Sequence, residues 1–154
     1  GDWEPVKSGG LTLVTRDLII RGTRHWARGV LFWNLALDQE HGPHLGGCGN
    51  CRGVVTIDAA SGEVTRSDDY YALAHASRFV RRDAQRLGSS EAHAGIDNVA
   101  FRNADDGSRV LIVSNSEPRM QRIRVREGAT TFEHALPPRS IATFVWPEAT
   151  RAAP

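Results

Sequence analysis

Apolar residues recur at spacings of three and four from Leu11 through Val14, Leu18 and Gly22 to His25, the signature of an amphipathic helix. This spacing predicts a helix from Leu11 to Trp26, with Ser8 or Thr12 as its cap and Gly29 as its breaker. The period then gives way to a run, Val30-Leu31-Phe32-Trp33, that continues through Leu35, Ala36 and Leu37 with Asn34 as a polar interruption. Such a run after a helix predicts a strand from Val30 to Ala36 buried on both faces, as in a parallel α/β layer. Val54-Val55-Thr56-Ile57 predicts a short strand, and Ser61-Gly62 a turn. Asp68 or Asp69 is placed to cap a second helix from Tyr70 to about Val80.

From Arg81 onward the helical period disappears. Short β-prone runs follow at Val99-Ala100-Phe101, Val110 to Val113, Ile123 with Val125, Thr131-Phe132 and Ile141 to Trp146. Turn chemistry separates them. The stretch from Asn103 to Ser108 contains Asp106-Gly107, a hairpin signal supplying positive φ, and Arg126-Glu127-Gly128 and Leu136 to Ser140 mark two further turns. Regularly spaced short strands predict an antiparallel β-sandwich. The pattern thus predicts an α+β chain: a helix–strand–helix piece over residues 1–80, a sandwich over 81–147 and a flexible tail over 148–154. One buried parallel strand cannot satisfy both of its edges alone, so the first part is expected to belong to a larger layer.

Composition narrows the function classes. The 154 residues carry 19 Lys and Arg against 18 Asp and Glu, a net charge of +1, which leaves no electrostatic footprint for nucleic acid or an acidic membrane. Arg119, Arg122, Arg124 and Arg126 are the densest basic stretch, and their alternation is that of the wet face of a strand. No apolar run is long enough to span a bilayer, and the first residues have no signal-peptide pattern. Two Cys cannot be the main framework of the fold.

The candidate chemistry concentrates between Phe32 and Asp58. His41, His44, Cys48 and Cys51 are all zinc-ligand types, and the Cys pair has the spacing of a zinc knuckle. Both ligand pairs would have to come from one loop, whereas most structural sites draw them from two elements. A disulfide closing a small ring in a secreted protein and a pair of thiols are the other two readings. Trp33 and Asn34 lie late in the predicted strand, at the end that faces ligand in a parallel layer. There Trp33 is placed to stack on a sugar face and Asn34 to bond hydroxyls; a core Trp followed by a capping Asn is the alternative. His75, inside the second helix, reads as a packed residue. No nucleophile elbow, Walker loop or dinucleotide motif is present. Asp38 and Glu40 are near the strand end, but nothing supplies the second acid that glycoside chemistry places across a pocket.

The stretch "GVLFWNLALDQEHGPH" resembles the eighth barrel strand and following loop of glycoside hydrolase family 30, which includes glucosylceramidases and endo-β-1,6-glucanases. The family has Gly where this chain has His41. "GVVTID", "YYALAHASRFVRRDAQRLGSS", "IDNVAFRNADDGSRVLIVSN" and "LPPRSIATFVW" are similar, in order, to the family's next strand, last barrel helix and C-terminal sandwich. The resemblance implies the last helix–strand–helix of a (β/α)8 barrel followed by a sandwich, in an enzyme that hydrolyses β-glycosides with retention and without a cofactor. It implies two catalytic Glu, neither of them in this chain; the nucleophile is expected just upstream of Gly1, and Glu4 is in the wrong place to replace it. The chain is accordingly expected to be a C-terminal piece with little activity alone.

Under the same resemblance Trp33 lines the subsite for the cleaved sugar, with Asn34 and the His44 loop at the pocket rim. A Cys48–Cys51 disulfide becomes the favoured reading over metal, with a secreted location. The expected partners are a carbohydrate and a barrel segment, or a second copy, covering the apolar strand and helix faces. Two readings compete: a non-catalytic carbohydrate-binding sandwich, for which Phe101, Phe132, Phe144 and Trp146 look like core rather than platform, and a small zinc-binding domain. Glucosylceramide, β-1,6-glucan and xylan-type chains are all substrates within the family.

Overall fold

Residues 10–24 form one helix, α1, with an irregular middle: α-helical turns at Gly10–Val14 and Gly22–Arg24 flank a π-helical segment at Thr15–Arg21. The computed structural model describes residues 10–148, so the proposed Ser8 cap, Glu4 and the tail beyond Glu148 lie outside the described residues. The wider π turn changes which side chains face inward. Thr12, Val14, Thr15, Ile19 and Ile20 are buried, while Leu18 of the predicted stripe is exposed. Thr12 lies inside the helix and is not its cap. The helix ends at Arg24, before Gly29, and the chain leaves it through Trp26 at φ +73°.

The predicted strand from Val30 to Ala36 is not formed. Residues 27–35 are irregular, and only Ala36–Leu37 (β1) pairs, in parallel with Val55–Ile57 (β2). A strand exists by virtue of its neighbours' hydrogen bonds, and no second neighbour reaches this run among the described residues. β2 pairs antiparallel with Val64–Arg66 (β3), a fully exposed strand that the periodicity did not predict. Its turn is built as expected around Gly62 at φ +74°, with the Asp58 carboxylate accepting from the Ala60 and Ser61 amides at 3.1 and 2.7 Å. The second helix, α2, spans Asp68–Ser77, three residues short of Val80. Its N-cap position is Ser67, and Asp68 and Asp69 fall in the first turn, where negative charge favours the helix dipole.

The later strands are longer. Gln85–Leu87 (β4), Ile96–Arg102 (β5), Arg109–Asn115 (β6) and Ser140–Trp146 (β9) form one antiparallel sheet in the order β4-β5-β6-β9. Gln121–Glu127 (β7) and Thr130–Leu136 (β8) form a separate hairpin. The described residues therefore stack in three layers: the helices, the sheet and the hairpin. β6 accounts for its unbroken Val-Leu-Ile-Val run, because both of its faces are covered. Val110 and Ile112 pack with Ile19, Ile20, Val99 and Phe101 on the helix side; Leu111 and Val113 pack with Leu136 and the aliphatic residues of β7 on the other. Each such side chain contributes roughly 1.5–3 kcal/mol by leaving water. β7 buries one face only, and Arg122, Arg124 and Arg126 alternate outward to solvent.

Polar clamps fix the helices to the sheet. Arg21 Nε donates to buried Asp97 at 3.0 Å. Arg24 Nη1 donates to Ser89 Oγ, Ser90 O and Asn98 O at 2.9, 3.2 and 3.1 Å. His75 Nδ1 lies 2.9 Å from Thr143 Oγ1 on β9. The turn between β5 and β6 closes as predicted, with Gly107 at φ +71° and Asn103 Nδ2 donating to Phe79 O and Ser108 Oγ.

Candidate functional site

The segment after α1 meets the loop before β2 around one cavity. It has a volume of about 460 Å³ and is lined by Val14 and Leu18 of α1, Leu31, Phe32 and Trp33 of the irregular run, His41, Asn50, Cys51 and Arg52 of the loop, and Asp69 of α2. The lining combines apolar side chains with polar groups from three separate stretches, the composition of a small-molecule site. Trp33 is 79% exposed, so its ring face is available to a ligand.

The loop is held in place by a few specific contacts. Asp38 Oδ1 accepts from the Glu40 and Gly42 amides at 2.9 and 2.7 Å, and the Asp38 N–H donates to Gly42 O at 2.8 Å. His41 sits at φ +63° inside this turn, a left-handed position that explains a Gly preference and that a His occupies at some cost. That backbone directs the loop so that His41 lines the cavity. Gly53 closes the loop. A Cβ there would meet Leu37 N at 2.7 Å and the Val55 carbonyl closer still, so β1 and β2 approach only across a Gly.

The expected site residues are distributed as follows. Trp33 and Cys51 line the cavity. Asn34 is half-buried beside it and contributes its backbone, the carbonyl accepting from Val54 N–H at 3.0 Å. His44 is exposed on the outer loop next to Gly49, away from the cavity. Cys48 and Cys51 are joined as a disulfide with their Cα atoms 5.5 Å apart. Their sulfurs are thereby committed to each other, and among the described residues no group of three or more His, Cys, Asp or Glu side chains is placed to hold a metal.

Sequence reasoning did not identify Arg52 as a site residue and took Asp69 for a cap. Burial pushes the Asp69 carboxyl above its ordinary value; Arg52 opposes this and Asp68 adds to it. A half-buried carboxyl with a raised pKa on a cavity wall marks a functional-site candidate. The only signal in the sequence was Asp68-Asp69 before a helix, which the capping rules already explained. Asp38 cannot serve as a second free acid in the cavity, because its carboxylate is engaged by the turn. A larger groove, about 540 Å³, lies between the sheet and the hairpin, lined by Leu87, Ile96, Leu111, Val113, Ile123 and Trp146 among others. It is the gap left where a hairpin covers a four-stranded sheet, and it contains none of the predicted site residues.

Comparison with known proteins places both halves. Residues 83–144 match the glycosyl hydrolase family 30 beta sandwich domain. An endo-1,6-β-D-glucanase of Neurospora crassa is 40% identical over 100 residues, covering 60% of this chain and 21% of that protein. An endo-1,6-β-D-glucanase of Aspergillus fumigatus is 31% identical over 155 residues, covering 96% of this chain and 31% of that protein. Among solved structures, the endo-β1,6-glucanase BT3312 superposes with a TM-score of 0.84 at 29% identity, over 91% of this chain and 31% of that one. The chain thus spans between a fifth and a third of the length of these relatives, at 21% and 31%.

Proposed function

The chain belongs to glycoside hydrolase family 30, whose β-sandwich domain it carries over residues 83–144, and from that premise we propose that it forms part of a retaining glycosidase acting on β-1,6-linked glucan. The observation that carries this reading is the alignment of 96% of the chain with an endo-1,6-β-D-glucanase at 31% identity. The cavity supports it chemically, since its lining combines the exposed Trp33 ring with polar groups, as a sugar requires.

Hydrolysis with retention needs two carboxyl groups about 5–5.5 Å apart across the scissile bond. The cavity has one, Asp69. In this proposal the catalytic pair is supplied by further barrel polypeptide outside residues 10–148, and Trp33 forms one wall of the site. The same polypeptide covers Leu31 and Leu35, which are 99% and 77% exposed here. The Cys48–Cys51 disulfide supports an extracellular location. The test is reducing-end release from a β-1,6-glucan. The 154-residue chain is expected to give none, and the same chain joined to a barrel segment bearing two strand-end Glu is expected to turn over. Hydrolysis by the chain alone would overturn the division of labour; a competent assembly that cuts only other β-glucosides would overturn the substrate.

A further inference from the structure

We propose that Arg52 and Asp69 form a polar clamp that binds adjacent hydroxyls of the glucosyl unit stacked on Trp33, a recognition element distinct from the ring-stacking surface itself. The inference rests on the functional reading above and adds to it two contact residues and the ligand chemistry they select.

Both side chains line the same cavity as Trp33, and they arrive from different elements: Arg52 from the loop just after the disulfide, Asp69 from the first turn of α2. Among the described residues neither makes a side-chain hydrogen bond or an ion pair, with each other or with anything else. They are nevertheless near enough for the Arg52 charge to stabilise the Asp69 carboxylate. Where Arg21, Arg24, Arg81, Arg109 and Arg124 close directly on carboxylates, Arg52 does not close on Asp69. A guanidinium and a carboxylate that line one cavity without closing on each other have complementary needs. A guanidinium only donates and a carboxylate only accepts.

That pairing selects its ligand. A hydroxyl is donor and acceptor at once, so it can accept from Arg52 while donating to Asp69. Two neighbouring hydroxyls on a pyranose satisfy both groups and leave the apolar ring face for Trp33. An anionic ligand would be repelled by Asp69 and a cationic one by Arg52. A purely apolar ligand would bury both charges unsatisfied. The Cys48–Cys51 bond lies immediately before Arg52 and constrains the loop that carries it.

The experiment is an NMR titration of the isotope-labelled 154-residue chain with a β-1,6-linked glucose disaccharide, following the indole N–H of Trp33. The unmodified chain is expected to show a saturable shift. Arg52→Ala and Asp69→Ala are each expected to weaken binding about 10-fold or more, the effect of losing a hydrogen bond to a charged group. Asp69→Asn keeps the size of the side chain, is expected to bind more weakly than the parent and more tightly than Asp69→Ala, and guards against a fold defect together with a thermal melt. If Trp33→Ala loses binding while Arg52 and Asp69 variants titrate like the parent, the clamp is wrong and the sugar surface stands. If the parent chain shows no saturable shift, the sugar-surface reading fails, and the clamp with it.

Discussion

The sheet of β4, β5, β6 and β9 and the run from Ala27 to Leu35 are both rich in apolar, β-prone residues, yet only the first is ordered as strands. β6 has a hydrogen-bonded neighbour on each side and a packed layer on each face. The run through Leu31, Phe32 and Trp33 has an equally good strand composition and pairs over two residues only, Ala36 and Leu37. β propensity describes how well a side chain fits a pleated, half-buried surface. Where the neighbouring strands are lacking, extension gains few ladder bonds, and Leu31, Trp33 and Leu35 remain exposed while Phe32 is half-buried. The difference separates strands that are paired and covered from an apolar run that leaves Leu31, Trp33 and Leu35 exposed.

Mutations that separate the two regions should rank accordingly. The largest effect is expected from Ile112→Ala, which empties a fully buried position between β6 and the helices. It should cost about 2–5 kcal/mol, read as a lowered midpoint in urea unfolding. Next comes Asn115→Ala. This buried amide donates to Arg119 O, Leu136 O and Pro137 O at 2.9, 3.3 and 2.8 Å and accepts from Glu117 N–H at 3.0 Å. Its loss should cost about 1–3 kcal/mol by leaving those backbone groups without partners.

A smaller effect is expected at His75, whose burial holds the imidazole below its ordinary value. The folded state therefore binds the proton less readily than the unfolded state. Stability should be full above the ordinary imidazole range and decline as pH falls from there through the depressed folded value. A pH series of thermal melts should show that slope, and His75→Gln should flatten it. The smallest effect is expected from Leu31→Ser, which removes an apolar side chain that is 99% exposed. Its stability change should stay within about 0.5 kcal/mol, while light scattering should show less self-association. A large loss of stability there would contradict the contrast between the regions.

The same contrast explains what could be read from the residues. Val110 to Val113 and the turn at Asp106-Gly107 were legible because local pattern and tertiary environment agree. β4, whose sequence is Gln-Arg-Leu, carries no strand pattern and exists because the edge of β5 accepts it. β3 is fully exposed and forms through its turn. In α1 the π segment moved the buried face off the regular period, so Leu18 was assigned inward and Thr15 was not. At the candidate site, Trp33 was singled out by the family resemblance and by its place late in a predicted strand; it lines the cavity although that strand does not form. Arg52 and Asp69 were not singled out, because they join the same cavity lining from later stretches of the chain and each has an ordinary local explanation.

The π segment of α1 also sets a counting constraint. A regular helix advances about 100° per residue, so one residue more or less between Thr15 and Arg21 would swing the far end of the helix by roughly that angle. Arg24, which grips Ser89, Ser90 and Asn98, would then point away from the sheet. The spare residue in the wide turn works as a phase adjuster: it lets the adjacent Ile19 and Ile20 both face the core while the guanidinium still arrives on target. Single-residue deletions should therefore be tolerated far worse in this half-buried turn than in the exposed Gly-rich loop around Gly46 and Gly47, although neither change removes a large side chain from the core.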